Sequence, residues 1–202
     1  MVIATPFDNP KYFYLNQKIV GFRAKGFCQV GDENINFDSK DTFAILDWGR
    51  GVWPYKNTWY WSSAVGEQDG NIIGFNLGYG FGNTSQATEN MIFYNGIAHK
   101  LDDVKFNIPY KDNKLDFMSE WKFTSSDNRV NLTFTPVLDR HAFTTALVIS
   151  SDQHQVFGKF NGTLILDDGR VIKIADLFGF AEKVDNKWSV SYTHLTLPTK
   201  RI

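Results

Sequence analysis

The segment from position 47 to position 61 is the part of the sequence richest in side chains that could do chemistry. It holds an acid, a base and four indole rings: Asp47, Arg50, Trp48, Trp53, Trp59 and Trp61. A solvent-exposed loop does not tolerate so many large apolar rings, so we expect the tryptophans to line a cavity or cover its mouth. A charge buried there needs a partner, and a charge-assisted pair between Asp47 and Arg50 would supply it.

Two interpretations of this pair stay open at the sequence level. In the first, Asp47 and Arg50 only hold a loop in place. In the second, Asp47 is a general acid whose pKa is raised by burial, while the tryptophans contact a flat or unsaturated ligand and Arg50 fixes its polar head.

A second polar cluster occupies positions 83–90, and Glu89 is its only ionisable member. Glu89 is the second candidate catalytic acid, and the amide of Asn90 could orient a ligand. The alternative is that the stretch simply caps and turns the chain. A short helix over residues 85–90, capped by Thr84 or Ser85, is the only helix that the sequence predicts.

Three residues further along the chain complete the candidate ligand-binding set: Asp139, Arg140 and His154. The histidines at 99, 141 and 154 lack metal-like spacing, and neither cysteine partners nor an HExxH pattern accompany them. We therefore expect no metal site and no cofactor. No serine lies in a nucleophile elbow, so no catalytic triad is predicted.

Residues 71–83 carry the clearest periodic pattern. Apolar and aromatic side chains alternate with small ones in two interleaved sets: Ile73, Phe75, Leu77, Tyr79 and Phe81 against Gly74, Asn76, Gly78, Gly80 and Gly82. A period of two predicts a strand with one aromatic and one nearly bare face. We expect Phe75, Tyr79 and Phe81 to line the cavity, with Asn76 at its polar head, and the bare face to admit a close neighbour. The glycines lack dinucleotide spacing and a P-loop lysine, so they do not form a phosphate loop.

Short strands separated by turn signals predict the rest of the fold. Strand patterns occur at 19–27, 42–46, 58–65, 91–94, 105–108, 121–124, 130–137 and 144–150, and residues 155–166 and 170–174 form a hairpin pattern. Asp69-Gly70 and Asn95-Gly96 are typical turn pairs. The sequence therefore predicts an all-β fold, an antiparallel barrel or sandwich.

The composition limits the class of protein. The chain has 202 residues, 43% of them hydrophobic and 16% aromatic, which is ample for a packed core and argues against disorder. The net charge of −1 argues against a nucleic-acid partner. Cys28 alone cannot form an internal disulfide, and neither an export signal nor an apolar run of about 20 residues is present, so we expect a cytoplasmic protein without a transmembrane segment.

The last residues have an unusual pattern. Residues 190–199, VSYTHLTLPT, match a one-frame translation of a common transposon sequencing adapter. We therefore expect residues 189–202 to be non-native read-through and residues 1–188 to be the domain.

Several motifs in order resemble one known family. They are LDWGRGVW (46–53), NLGYGFG (76–82), ATEN (87–90), WKFT (121–124), DR (139–140), DQHQVFG (152–158) and GFAEKV (179–184). Together they resemble the bacterial family catalogued as domain of unknown function 2804, over nearly all of residues 1–188. Members of that family are longer, which implies that this chain is a C-terminal part, a partial barrel lacking its N-terminal segment.

The resemblance also implies a class of ligand. The family is grouped with lipocalin-like (calycin-like) barrels of the carotenoid hydratase kind, so the expected ligand is a hydrophobic, lipid- or isoprenoid-like small molecule. The first hypothesis is a protein that binds such a molecule. The alternative is an acid-base enzyme, a hydratase or isomerase, in which Asp47 or Glu89 protonates an alkene. An exposed aromatic patch would instead indicate a surface interaction protein.

Overall fold

The computed structural model describes residues 1–188, and in this range the chain forms sixteen strands and no helix. The strands are β1 (Val2–Pro6), β2 (Phe13–Arg23), β3 (Gly26–Val30), β4 (Glu33–Phe37), β5 (Phe43–Val52), β6 (Lys56–Gln68), β7 (Asn71–Tyr79), β8 (Met91–Tyr94), β9 (Ile97–Lys100), β10 (Val104–Asn107), β11 (Tyr110–Lys111), β12 (Lys114–Leu115), β13 (Trp121–Ser125), β14 (Val130–Ala146), β15 (Ile149–Ile165) and β16 (Val171–Lys187). The expectation of an all-β fold is confirmed. The predicted read-through at 189–202 lies outside the described residues.

The short helix expected at 85–90 is wrong. The segment has no regular structure, because its side chains bond to its own backbone in place of a helical ladder. The amide of Ser85 donates to Asn83 Oδ1 at 3.0 Å, and the amide of Asn90 donates to Thr88 Oγ1 at 3.3 Å. Within residues 1–188 there is accordingly no helix long and apolar enough to cross a membrane.

One large sheet dominates the fold. Its nine strands lie in the order β10-β13-β14-β15-β16-β6-β7-β8-β9, and every neighbouring pair is antiparallel. The sheet curls into a half-barrel. The curl brings β10, at one edge, against β7, where the ring centroids of Phe106 and Tyr79 lie 5.2 Å apart.

The inner, concave face of this sheet carries the hydrophobic core. Phe75, Phe134 and Phe160 are fully buried there. The ring of Phe160 lies 4.9 Å from that of Phe75 and 4.6 Å from that of Phe134. Because such contacts fill the space with side chains at interior density, the inside of the half-barrel is a packed core.

A second sheet covers part of the outer face. It has three strands in the order β1-β2-β5, and β2 packs across β6 and β7. The bare face of β7 permits this approach: a Cβ built on Gly74 would lie 3.0 Å from Val20 Cγ1 and 2.9 Å from the carbonyl oxygen of Ala64. The expectation that the glycine face admits a close neighbour is therefore confirmed.

The predicted turns are present, but the predicted interruption between the strands at 130–137 and 144–150 is absent. Positive φ angles at Asp69 (51°) and Gly70 (75°) close the β6–β7 hairpin, as the Asp-Gly pair indicated. The separate strands predicted at 130–137 and 144–150 belong to a longer hairpin. β14 runs without a break to Ala146, with a bulge between Pro136 and Leu138. This extension decides the position of several polar residues discussed below.

Candidate functional site

A cavity of about 370 Å³ lies between the three-stranded sheet and the outer face of β6, β7 and β16. Its apolar wall is aromatic, and its rings include Tyr14, Trp53, Trp59, Trp61, Phe81 and Trp188. The ring of Phe81 lies at the centre of this wall, with edge-on contacts at 5.0 Å to Tyr14 and 5.5 Å to Trp59. Edge-to-face contacts of this kind hold the aromatic wall in one arrangement.

Strand alternation places the tryptophans of this wall. Trp59 and Trp61 project from the outer face of β6, whereas Tyr60 between them projects into the core and stacks on Tyr79 at 4.5 Å. Tyr79 therefore borders the cavity while its ring packs on the inner face. Desolvation by burial raises the pKa of Tyr79 to about 12.

Phe81 reaches the outer side by a different route. It has the same parity as Phe75, so an unbroken strand would carry its side chain into the core. β7 ends at Tyr79, and Gly80 adopts a φ of +93° that turns the chain. Phe75 is entirely in the core, which corrects the expectation that it lines the cavity.

The polar end of the cavity is built around Lys18, which the sequence analysis did not select. Its side chain is buried, with 5% of its surface exposed, and Nζ lies 3.2 Å from Glu89 Oε2 and 3.6 Å from Asp47 Oδ2. Nζ also lies 3.6 Å from the ring centroid of Trp61. Lys18 on β2 is directly opposite Asp47 on β5, so only the pairing of these strands reveals the contact.

The expected pair between Asp47 and Arg50 is wrong. β5 continues through Val52, and residues three apart on one strand project to opposite faces. Asp47 lines the cavity, whereas Arg50 is exposed and does not. Trp48, next to Asp47, is 49% exposed and also points away from the cavity. The placement of Trp48 and Arg50 in the ligand site is corrected accordingly.

Two ionisable groups at the polar end have raised pKa values. Desolvation by burial raises the pKa of Asp47, and Lys18 opposes this shift. Burial, followed by the charges of Asp47 and Glu89, raises the pKa of the Tyr14 hydroxyl well above its usual range. Tyr14 therefore remains a neutral phenol at physiological pH.

Glu182 on β16 is a third carboxyl group of the cavity, and it was not among the residues predicted from the sequence. Its residue surface is 4% exposed, and its carboxylate accepts hydrogen bonds from Trp59 Nε1 at 2.7 Å and Gln155 Nε2 at 3.2 Å. Burial raises its pKa, and the Trp59 hydrogen bond and Lys18 partly oppose this. The sequence feature that could have identified Glu182 is its position in GFAEKV, one of the motifs that carry the family resemblance.

Asn76 and Asn90 support the wall of the cavity from behind. Asn76 accepts a hydrogen bond from Trp61 Nε1 at 2.8 Å and donates one to the carbonyl of Glu89 at 2.9 Å. Asn90 accepts from the amide of Gly78 at 2.7 Å. The polar stretch at 83–90 thus turns the chain and also presents a carboxylate to the cavity.

The remaining candidates lie outside the cavity. Asp139 and His154 are on the inner face of β14 and β15, with Asp139 Oδ2 2.7 Å from His154 Nδ1. Arg140 is exposed and donates to Gln155 Oε1 at 3.3 Å. The structure therefore divides the predicted site: Asp47, Glu89, Trp53, Trp59, Trp61, Tyr79 and Phe81 meet at one cavity.

The class that fold and site define is an all-β protein with a curled half-barrel sheet, a smaller sheet packed on its outer face, and an aromatic cavity with acidic groups between them. The chain belongs to the family described as Domain of unknown function (DUF2804), which matches residues 1–188. This match confirms the family resemblance. Neither a curated protein nor a solved structure matches the chain significantly.

Proposed function

We propose that this protein binds a hydrophobic, lipid- or isoprenoid-like small molecule in the cavity between its two sheets. The observation that carries the proposal is one cavity with an aromatic wall at one side and Lys18, Asp47 and Glu89 at the other. Its volume of about 370 Å³ falls in the range of small-molecule pockets, roughly 300–1,000 Å³. A lipocalin-like barrel would hold its ligand in its interior. In this protein the interior of the half-barrel is filled by the packed core, so the proposed ligand binds on the outer face of the sheet.

The charges at the polar end favour a neutral head group. Lys18 already has two carboxylate partners, and Glu182 adds a third acid to the cavity. A ligand carboxylate would meet more negative than positive charge. A hydroxyl group adds no charge and avoids this repulsion.

An alcohol meets this requirement, because its hydroxyl group is neutral and can both donate and accept a hydrogen bond. We therefore propose an alcohol of isoprenoid or lipid type.

Farnesol is a suitable probe, because it has an apolar isoprenoid chain and one hydroxyl. Its binding is measured by quenching of tryptophan fluorescence and by displacement of the dye N-phenylnaphthylamine, with palmitate as the charged counterpart. We expect Trp53→Ala to weaken farnesol binding roughly 30-fold, from the ~2 kcal/mol of a buried aromatic contact. Trp48→Ala is the matched control, because the same residue type there lies outside the cavity. Equal effects of the two substitutions, or stronger binding of palmitate, would contradict the proposal.

A second candidate function is an acid-base enzyme, a hydratase or isomerase, acting on such a ligand. Asp47 favours it: burial raises the pKa of this cavity carboxyl group, which shifts it toward the form that can donate a proton to an alkene. Glu89 or Glu182 would then serve as the base. Farnesol incubated with the protein in deuterated water should gain deuterium at its alkene carbons, and Asp47→Asn should abolish this gain while farnesol still binds. Absence of deuterium with the unmodified chain leaves binding as the function.

A further inference from the structure

A separate cluster of polar side chains lies on the inner face, near the end of the packed core. Three of its members, His141, Asp152 and His154, each offer one ligand atom, and these atoms lie within 4.8 Å of one another. His141 Nε2 is 2.8 Å from Asp152 Oδ1, and His154 Nε2 is 3.8 Å from the same oxygen. Asp152 is therefore the centre of the cluster.

Strand pairing brings the residues of this cluster together from the two strands of one hairpin. His141 on β14 is directly opposite His154 on β15, so both rings stand on the same face. Asp152 precedes His154 by two residues on β15 and shares that face. The linear spacing that argued against a metal site does not apply, because the two histidines meet across a hairpin.

The ring of His154 is held in one orientation. Asp139 Oδ2 lies 2.7 Å from Nδ1. In the tautomer that donates Nδ1–H to this carboxylate, Nε2 presents its lone pair to an ion. The ring is stacked between Phe117, at 3.7 Å, and His141, at 4.0 Å. A carboxylate behind a histidine is the usual way in which proteins orient a metal ligand.

The charges around the cluster also favour a cation. Asp139, Asp152 and Asp185 are on this face, with Asp185 directly opposite Asp152 on the neighbouring strand. Lys183 pairs with Asp185, and Lys187 follows on the same face, so the acids still outnumber the lysines. His141 and Asp152 are nearly half exposed, at 46% and 44% of their side-chain surface. An ion bound there would therefore keep coordination positions open to solvent.

We propose that His141, Asp152 and His154 form a binding site for a divalent first-row transition metal ion, with Asp139 as the residue that positions His154. Two imidazole nitrogens and one carboxylate oxygen match Zn²⁺, and the same set also suits Fe²⁺ and Co²⁺. Calcium and magnesium prefer sites made of oxygen only. The metal site is on the opposite face of the sheet from the aromatic cavity. The proposal of a metal site therefore does not depend on the proposal of a hydrophobic ligand.

The experiment titrates the full chain with Zn²⁺ alone by calorimetry and with Co²⁺ by visible absorption. We expect one equivalent to bind, and His141→Ala or His154→Ala to weaken binding by at least about 100-fold. Asp139→Asn should weaken it about 10- to 100-fold without abolishing it, as expected for a residue behind a ligand. The matched control is His99→Gln, because His99 lies outside the cluster and contacts Asp167.

Circular dichroism of each metal-free variant shows whether the fold is retained. Binding that is equally strong in the His141→Ala, His154→Ala and His99→Gln variants would place the ion elsewhere and overturn the proposal. Failure of the unmodified chain to bind either ion would overturn it as well. If the two cluster substitutions weaken binding in a folded protein and His99→Gln does not, the site is established.

Discussion

Replacing Lys18 with methionine tests the polar end of the cavity most directly. Methionine keeps the length and apolar stem of lysine but removes the charge that Glu89 and Asp47 share at 3.2 and 3.6 Å. Removing one partner of a buried ion pair costs about 3–5 kcal/mol, because the remaining charge is left without compensation. Glu89 and Asp47 keep 20% and 33% of their side-chain surface exposed, so water screens part of this cost. We expect a loss of roughly 2 kcal/mol at neutral pH.

The pH dependence of this loss identifies its cause. Burial already raises the pKa of Asp47, and Lys18 opposes that shift, so the pKa must rise further in Lys18→Met. An acid whose folded-state pKa lies above its unfolded value binds more protons when folded, so stability falls as pH rises through that pKa. The variant should therefore be less destabilised at about pH 5 than at about pH 7.5, because protonation of Asp47 removes its uncompensated charge.

Urea unfolding of wild type and variant at both pH values measures this difference. Lys159→Met is the matched control, because Lys159 also has a carboxylate partner, Asp176 at 3.4 Å, but both side chains are about half exposed or more. An exposed pair of this kind contributes less than about 1 kcal/mol, so the control should change little. A loss in Lys18→Met that is independent of pH, or no larger than in Lys159→Met, would refute the reasoning.

Three further predictions concern the contact between the two sheets and the wall of the cavity. Gly74→Ala should lower the free energy of unfolding by about 1–3 kcal/mol, because its Cβ would be pressed between the two sheets; Gly26→Ala, where the new Cβ meets nothing within 4 Å, should be nearly neutral in the same urea titration. Trp59→Phe should cost about 1–3 kcal/mol in thermal unfolding, because Glu182 loses its 2.7 Å donor, and an unchanged melting temperature would contradict this. Burial raises the pKa of Glu182, so wild-type stability should fall as pH rises through that pKa; Glu182→Gln should remove this slope, and parallel stability curves for the two proteins would count against it.

The local pattern of the sequence was sufficient to predict every strand of the large sheet except β9, at least in part, but it missed β1 and β4. Met91–Tyr94 has the predicted bounds, and Asp69-Gly70 forms the predicted turn. The alternation along β7 was correctly interpreted as one aromatic and one bare face. Which face would meet the core could not be deduced, because periodicity gives two sides of a strand without saying what packs on each.

The contacts of the candidate site depended on strand register, which one sequence does not supply. Asp47 was selected correctly as a cavity residue, but its partner Lys18 is 29 positions away and directly opposite on a neighbouring strand. Arg50 was chosen because it is near in the sequence, although an odd separation on a strand places it on the other face. Glu182 was missed for the same reason as Lys18. It reaches the cavity because β16 pairs with β6, and this pairing is visible only in the folded sheet.

The two faces of β6 and β7 have separate roles, one in the core and one at the cavity, and this separation affects how the sequence of such a protein can evolve. Positions that hold the fold, such as Phe75, and positions that line the cavity, such as Trp59 and Trp61, alternate along the same strands but face opposite sides. Substitutions on one side can therefore accumulate without repacking the other. Descendants of a common ancestor could acquire different ligands while retaining one core. A laboratory library restricted to cavity positions, with Lys18 and Trp59 kept because their contacts stabilise the fold, should likewise yield new specificities on an unchanged core.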